Sequence, residues 1–264
     1  MYKNFSVEVM NMPGVYAHYR FGKQVLSQLS PKQRQCVTRF RRLYDMGLYG
    51  GDIFAFYNPL MQTDTGKLEE SYHSQTGIDF FSQALTQATT EGAQAYLYGV
   101  LAHYCLDSLC KAYLQRQKEA GACLSRLDAD FDSCLLTMDG LELPYDLSRH
   151  MELTRGECVT VSQFYPPATA RETHSAIRHM TLFYRFLAGK NQKRVRRVLS
   201  LLGNARLQAR IFPAELPYQP SITDQELMSR YNRAAKLYPD LLKELTRAME
   251  QGTPLGGIFK PTFR

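Results

Sequence analysis

The sequence has 264 residues, of which 44% are hydrophobic and 22% are charged, so it can bury a sizeable core and is not a disordered or fibrous chain. Its formal net charge of +7 at pH 7 favours anionic partners such as phosphates, lipid headgroups or nucleic acid. Because no apolar run reaches about 18 residues, we expect no transmembrane segment.

Features of the N-terminus and the cysteines predict a cytoplasmic protein. Residues 1–14 include Glu8 and lack the apolar region of a secretory signal, so we expect an irregular N-terminal arm. The six cysteines contain no C-x-x-C pair, and we interpret them as free thiols in a reducing compartment. We predict a single domain over residues 1–264.

Helix signals account for most of the first half of the chain. Apolar periodicity and caps predict helices over residues 15–29, 31–46, 77–87 and 92–119. The second of these begins with Ser30 as N-cap and Pro31 at the first helical position. Residues 47–59 are predicted to form a loop, and residues 62–70 a polar, mobile stretch.

The second half is also predicted to be helical. The helices are expected over residues 122–138, 168–187 and 223–251. Thr223 and Glu226 form a capping-box signature, T-D-Q-E, at the start of the last of them. Residues 252–264 contain glycine, proline and basic residues, and they are predicted to form an extended C-terminal tail. With no strand pattern in the chain, we expect an all-α fold, a single multi-helix bundle.

A basic block occupies residues 185–210, where eight lysines and arginines occur without an acidic residue. Such a run is most often a solvated helix face. The alternative is peripheral contact with an anionic membrane or with nucleic acid.

The stretch from Tyr96 to Tyr113 combines an apolar helical pattern with a few polar residues. It carries His103 and Asp107 four residues apart, and Lys111 follows after another four. This spacing places the three side chains on one face of the helix. The imidazole and the carboxylate either share a metal cation or form a buried His–Asp hydrogen bond, because buried polar groups must be paired.

A second candidate site follows a pair of glycines. Asp52 stands directly after Gly51 and just before the aromatic residues Phe54, Phe56 and Tyr57. This pattern is typical of a binding-site wall, and it is equally compatible with a turn aspartate beside core aromatics. In the first interpretation the three aromatics are substrate-binding residues that pack against an apolar or cationic headgroup.

Four short stretches together resemble motifs of the bacterial zinc-dependent phospholipase C family, which is more remotely related to the zinc-dependent single-strand nucleases. The stretches are M-P-G-V-Y-A-H-Y-R-F-G with His18, G-G-D-I-F with Asp52, S-Y-H with His73, and L-A-H-Y-C-L-D-S with His103 and Asp107. They lie within residues 12–140, and their order and spacing match those of the family. The resemblance implies an all-α bundle that holds three zinc ions at the end of a cleft.

The resemblance also implies a set of metal ligands. One zinc site would be formed by Asp52, His73, His103 and Asp107. Asp107 would bridge this site to a second zinc ion, which is bound by His18. The two metals would hold an activated water near a phosphate. Two neutral imidazoles and two carboxylates make a neutral shell for a divalent ion, which suits zinc.

The third zinc site of the family has lost both histidines in this sequence and keeps only a shortened carboxylate. The family has a histidine where Lys111 stands, and our alignment places Leu124 and Asp128 at its next histidine and glutamate. Secreted relatives also use their processed N-terminal residue as a ligand, and without it the His18 site is weaker. Because Lys111 supplies a positive charge where the family holds an ion, we predict that it pairs with Asp128 and binds a substrate phosphate. The alternative is that Lys111 extends to solvent and Asp128 is a surface acid.

Three functions are compatible with these features. The first is a phospholipase C-like, zinc-dependent phosphoric-ester hydrolase in which Asp52 or Asp107 takes a proton, with a phosphate ester such as a phospholipid as substrate. The second is a catalytically inactive relative that is stabilised by metal and serves as a binding or regulatory module. The third is a basic helical binder of anionic membrane or nucleic acid, in which the bundle is only a scaffold.

Overall fold

The computed structural model describes residues 14–57, 64–142, 145–188 and 219–263, together with residues 194, 197 and 198. Within these residues all regular elements are α-helices or 3-10 turns, and the only β-type contact is an isolated bridge between Thr76 and Thr262. The predicted all-α fold class is therefore confirmed.

The described part of the chain contains α-helices and turns of 3-10 helix. In chain order the α-helices are α1 (Val15–Val25), α2 (Pro31–Arg39), α3 (Arg41–Gly47), α4 (Leu68–Ser74), α5 (Gly77–Gln87), α6 (Glu91–Glu119), α7 (Leu124–Met138), α8 (Arg155–Ser162), α9 (Ala170–Leu187) and α10 (Ile222–Gln251). Turns of 3-10 helix cover Leu26–Gln28, Gly50–Phe56, Thr65–Lys67, Leu147–His150 and Gly257–Phe259.

Some predicted helix boundaries needed correction, while the Ser30 cap is confirmed as a complete capping box. The helix predicted over residues 15–29 ends at Val25 and is followed by the 3-10 turn Leu26–Gln28. The helix predicted over residues 31–46 is divided at Phe40, whose backbone leaves the helical region with φ −113° and ψ 42°. The last helix begins after Ser221, which forms the capping box with Asp224. The S-I-T-D stretch has the same spacing as the predicted capping signature but lies two residues earlier in the chain. The N-cap is therefore Ser221 and not Thr223.

The predicted loop and mobile stretch before α5 contain more structure than we expected. Within residues 47–59, the segment Gly50–Phe56 is a buried 3-10 turn. Within residues 62–70, a 3-10 turn over Thr65–Lys67 leads directly into α4. Both segments pack against each other, and this contact forms one wall of the candidate site.

Helix α6 lies at the centre of the bundle, where it packs against α1, α3 and α10. Its crossing with α3 is close because a glycine stands on each helix. A Cβ atom added to Gly99 of α6 would lie only 2.9 Å from the Cα atom of Gly47 in α3. Since real Cβ atoms do not approach backbone this closely, the crossing requires glycine. It holds the 3-10 turn that follows α3 beside the polar face of α6.

Replacing Gly99 with alanine is expected to destabilise the fold by about 1–3 kcal/mol, because the added methyl group would force α3 and α6 apart. Gly92→Ala in the same helix is the matched control, since its nearest atom, at 3.1 Å, is the movable side-chain end of Leu43. Denaturant unfolding of both variants would check this. Equal stabilities of the two variants would contradict a tight α3–α6 crossing.

A C-terminal strap, residues 253–263, follows the left-handed Gly252 that ends α10. The carbonyl oxygen of Pro261 accepts hydrogen bonds from the Gly77 amide at 2.9 Å and from the Tyr104 hydroxyl at 3.0 Å. Phe259 and Phe263 of the strap are fully buried. The predicted extended tail is thus non-helical apart from its 3-10 turn, and it packs against α5 and α6.

Two predicted features lie mostly outside the described residues. They are the N-terminal arm, of which only Gly14 is described, and the basic block over residues 185–210, of which residues 185–188, 194, 197 and 198 are described. In the part of the chain that the structure describes, no helix combines the length and the apolar character that crossing a membrane requires.

Candidate metal centre

The five residues predicted as metal ligands meet at one place in the interior. His18 comes from α1, Asp52 from the 3-10 turn after α3, His73 from α4, and both His103 and Asp107 from α6. A sixth residue, Glu69 of α4, joins them. None of the six side chains belongs to a residue that is more than 6% exposed. They are called the metal centre below: His18, Asp52, Glu69, His73, His103 and Asp107.

The N-terminus of α1 is held by the Asp132 carboxylate of α7, and this contact positions His18. Asp132 accepts hydrogen bonds from the backbone amides of Tyr16 at 3.0 Å and Ala17 at 2.8 Å. These amides belong to the first turn of α1, where no helical carbonyl is available to accept from them. The interaction links α1 to α7 and orients the first turn, which carries the His18 imidazole toward α6.

On one side of the centre, Asp107 contacts two imidazoles with its two oxygen atoms. The Nε2 atom of His18 lies 2.9 Å from Asp107 Oδ1. The Nε2 atom of His103 lies 3.3 Å from Asp107 Oδ2. The helical spacing of His103 and Asp107 thus produces the shared face that the sequence predicted, and α1 adds a third ligand atom to it.

On the other side, Asp52 and Glu69 flank the imidazole of His73. His73 Nε2 is in hydrogen-bonding contact with Asp52 Oδ1, and it lies 3.5 Å from Glu69 Oε1. The two sides meet where His103 Nε2 approaches Asp52 Oδ2 at 3.6 Å. Imidazoles and carboxylates therefore alternate along the whole centre.

Backbone carbonyls determine which nitrogen of two imidazoles carries a proton. Nδ1 of His18 lies 3.1 Å from the Gly14 carbonyl oxygen, and Nδ1 of His103 lies 3.2 Å from that of Leu48. A carbonyl oxygen only accepts hydrogen bonds, so in each contact Nδ1 carries the proton and donates it. In the neutral form of each ring, Nε2 then holds a free lone pair that points into the centre.

The lone pair of His103 faces two carboxylate oxygens, which is unfavourable unless a cation lies between them. Neither His103 Nε2 nor Asp52 Oδ2 has a hydrogen-bond partner among the described residues, although both residues are fully buried. Buried acceptors of this kind are costly without a partner. The donor set, three imidazoles and three carboxylates, therefore fits a divalent cation.

Electrostatics in the metal-free centre depend on the histidines. Burial lowers the pKa of His18, but the Asp107 and Asp52 carboxylates and a backbone carbonyl together raise this pKa, and the net shift is upward. The pKa of His73 is raised in the same way by Asp52. Burial lowers the pKa of His103, which the carboxylates do not offset. Burial raises the pKa of Asp107, but the adjacent His103 and His18 lower it by more.

We expect the metal-free protein to lose stability as the pH rises above 6.5, the ordinary pKa of histidine. Groups whose pKa is raised on folding, His18 and His73, stabilise the fold below that pH and lose this effect as they deprotonate. His103 has a lowered pKa, so its opposite effect on stability is confined to pH values below 6.5 and does not offset this loss. Chemical denaturation in chelator between pH 6 and pH 9 would measure this. An unfolding free energy that rises over that range would contradict it.

Glu69 is a functional candidate that our interpretation of the sequence missed, because the polar stretch around it was predicted to be mobile. The signal that would have found it is its spacing to His73. The two residues stand four apart, as His103 and Asp107 do, and helix α4 places them on one face.

The structure also describes the three residues that align with the ligands of the family's third zinc ion. The ammonium group of Lys111 donates a hydrogen bond to the Thr262 hydroxyl of the C-terminal strap. Leu124 and Asp128 are both buried in the first two turns of α7. The ion pair between Lys111 and Asp128, and the phosphate contact of Lys111, stay predictions.

The three aromatics after Asp52 pack into the protein. Phe54 contacts the ring of Tyr165, with 5.2 Å between centroids, and Phe56 contacts Phe183 with 5.6 Å between centroids. Tyr57 is half-buried. This is the packing that the core interpretation of these residues expects, and their contact with a substrate stays a prediction.

Comparisons of the chain with protein-family models, with curated protein sequences and with solved structures found no match. Support for a metal site in the described residues therefore comes from the structure itself, which brings together two buried groups of residues that could hold a metal ion. The similarity to zinc-dependent phospholipase C rests on the four motifs.

Proposed function

We propose that this protein is a zinc-dependent phosphoric-ester hydrolase of the phospholipase C type with a reduced metal centre. The observation that carries this proposal is the His103 imidazole, whose Nε2 lone pair faces the carboxylates of Asp52 and Asp107 at 3.6 and 3.3 Å. Without a cation, that arrangement places acceptor against acceptor in a site that water does not reach. The chain order of the motifs supports the family, and the metal centre supports the chemistry.

Residues of the metal centre would bind the zinc ion and accept a proton during hydrolysis. When bound, zinc supplies Lewis acidity, which polarises a phosphoryl oxygen and lowers the pKa of a water molecule toward about 7. Asp52 orients His73 with Oδ1 and would accept a proton at Oδ2. Asp107 contacts two imidazoles with its two oxygens, and it is the alternative proton acceptor. Lys111 would bind a substrate phosphate as a point charge.

One observation favours the second function, a metal-stabilised module without catalysis. Every residue of the centre is buried, and the C-terminal strap places Phe263 against the His103 ring, with 6.2 Å between centroids. An interior metal would stabilise such a fold without contacting a substrate. The third function, binding of anionic membrane or nucleic acid, depends on the basic block, which lies mostly outside the described residues.

Asp52→Asn is expected to abolish hydrolysis of a phosphodiester such as bis(p-nitrophenyl) phosphate in zinc buffer while leaving the helix content unchanged. The amide cannot accept the proton or neutralise a cation, but it has the same shape as the carboxylate. Asp240→Asn is the control, because Asp240 is an exposed carboxylate on α10. Turnover that survives in Asp52→Asn, or that persists in chelator, would rule out a zinc mechanism. Absence of turnover in a zinc-loaded wild-type protein would favour the inactive module.

A further inference from the structure

We infer, on the basis of the proposed function, that Glu69 is a metal ligand and that the centre holds two divalent cations in separate three-ligand sets. The first set is His18, His103 and Asp107; the second set is Asp52, Glu69 and His73. Within each set the ligand atoms all lie within 4.8 Å of one another. The resemblance implies a different division, in which a single ion joins both sides of the centre and Asp107 bridges two ions.

Both sets are built in the same way. A helix supplies two ligands one turn apart, and another element supplies the third. Helix α6 carries His103 and Asp107, and α1 adds His18. Helix α4 carries Glu69 and His73, and the 3-10 turn adds Asp52. Each helical pair holds its two ligands on one rigid face, so the ligand geometry survives small movements of the neighbouring elements.

Burial of Glu69 is the observation that favours a cation in the second set. The residue is only 6% exposed, and its Oε1 lies 3.5 Å from His73 Nε2, the same nitrogen that contacts Asp52. Two carboxylates that converge on one imidazole repel each other in an interior of low dielectric. In addition, Asp52 Oδ2 and His73 Nδ1 lack hydrogen-bond partners among the described residues.

One ion cannot use all six ligands. Zinc in proteins is almost always four-coordinate in structural sites and has three protein ligands in catalytic sites. Two three-ligand sets account for all six side chains and leave an open position on each ion. The closest approach across the sets that the structure gives is the 3.6 Å between His103 Nε2 and Asp52 Oδ2, so the two ions would be neighbours.

The charge of the centre is compatible with two ions, and attraction of a phosphate favours two over one. With neutral imidazoles the first set carries one negative charge and the second carries two. One divalent ion would leave the buried centre with a charge of −1, whereas two ions would bring it to +1, which attracts a phosphate anion. The second set, with two oxygen ligands and one nitrogen, also suits a harder ion such as Mn²⁺ better than the first set does.

Metal content after equilibrium dialysis against zinc tests the division, with mass-spectrometric counting of zinc per chain. We expect two ions for the wild type and one for Glu69→Gln. Glu70→Gln, an exposed neighbour on α4, should keep two. His18→Gln should also fall to one, because it disrupts the first set alone, and the double variant Glu69→Gln with His18→Gln should retain none.

Thermal melts separate a ligand from a merely structural residue. In zinc, Glu69→Gln should melt below the wild type; in chelator the difference should shrink or reverse, because the variant removes a buried negative charge. An equal loss in both buffers, or an unchanged zinc count in Glu69→Gln, would overturn the assignment of Glu69 and leave the proposed metal centre standing. A wild-type protein that binds no zinc would instead overturn the proposed function itself.

Discussion

Replacing His103 with alanine should lower the zinc content by at least one ion per chain and lower the melting temperature of the protein. His103 is fully buried, and its Nε2 contacts carboxylates of both ligand sets, so its loss weakens both. Metal that binds only the folded state adds about 2.7 kcal/mol to stability when its concentration is a hundredfold above the dissociation constant. The variant would lose this term, and it would also bury Asp52 and Asp107 without the imidazole between them.

Zinc counting and calorimetry in zinc and in chelator would measure the effect of His103→Ala. His174→Ala is the matched control, because His174 lies on α9 and takes no part in the metal centre. The control should retain wild-type zinc content and melting temperature. If His103→Ala keeps the wild-type zinc content, the centre does not bind metal through this residue.

Phe263→Ala is expected to destabilise the fold by about 3–5 kcal/mol, the usual cost of truncating a buried phenylalanine. The ring is fully buried between Tyr72 and Tyr104, with centroid distances of 4.2 and 4.8 Å. It also packs near the His103 imidazole and thus covers one side of the metal centre. Because the strap keeps water from this side, the variant should also release zinc faster to a chelator.

Denaturant unfolding and the rate of zinc transfer to a colorimetric chelator would check Phe263→Ala. Phe186→Ala is a suitable control, since Phe186 is 40% exposed on α9 and loses little packing when truncated. A variant with reduced stability but an unchanged rate of zinc release would mean that the strap stabilises the bundle without covering the metal. Unchanged stability would contradict the packing of the strap itself.

Local signals predicted the helices well and their connections less well. Caps and apolar periodicity act within one or two turns, so the Ser30 cap and the bounds of α5 could be derived from sequence alone. The division at Phe40 and the 3-10 turn over Gly50–Phe56 could not, because Phe40 offers no side-chain cap and the turn is buried by α4 and α9, which are distant in sequence. Helix α8 was not predicted, although Thr154 and Glu157 form a capping box at its start.

The sequence by itself indicated the all-α class, and the spacing of His103 and Asp107 placed two polar residues on one face of an apolar helix, where they require partners. The full set of five predicted ligands came from the resemblance to zinc-dependent phospholipase C. Only the tertiary structure decided that Glu69 belongs with them. In the sequence it stands in a polar stretch and resembles a surface residue. The packing of α4 against the 3-10 turn buries it beside His73, and such contacts between distant segments leave no local pattern.

The arrangement of the ligands and the cover over them were likewise decided by the tertiary structure. Spacing along α6 placed His103 and Asp107 on one face, but which oxygen meets which imidazole depends on how α1 and the 3-10 turn approach that face. In the sequence, the glycine, proline and basic residues of the C-terminal strap indicated only an extended tail. Its position over the centre arises because Phe259 and Phe263 are buried among aromatic rings of α4, α5 and α6, a contact that only the folded chain can form.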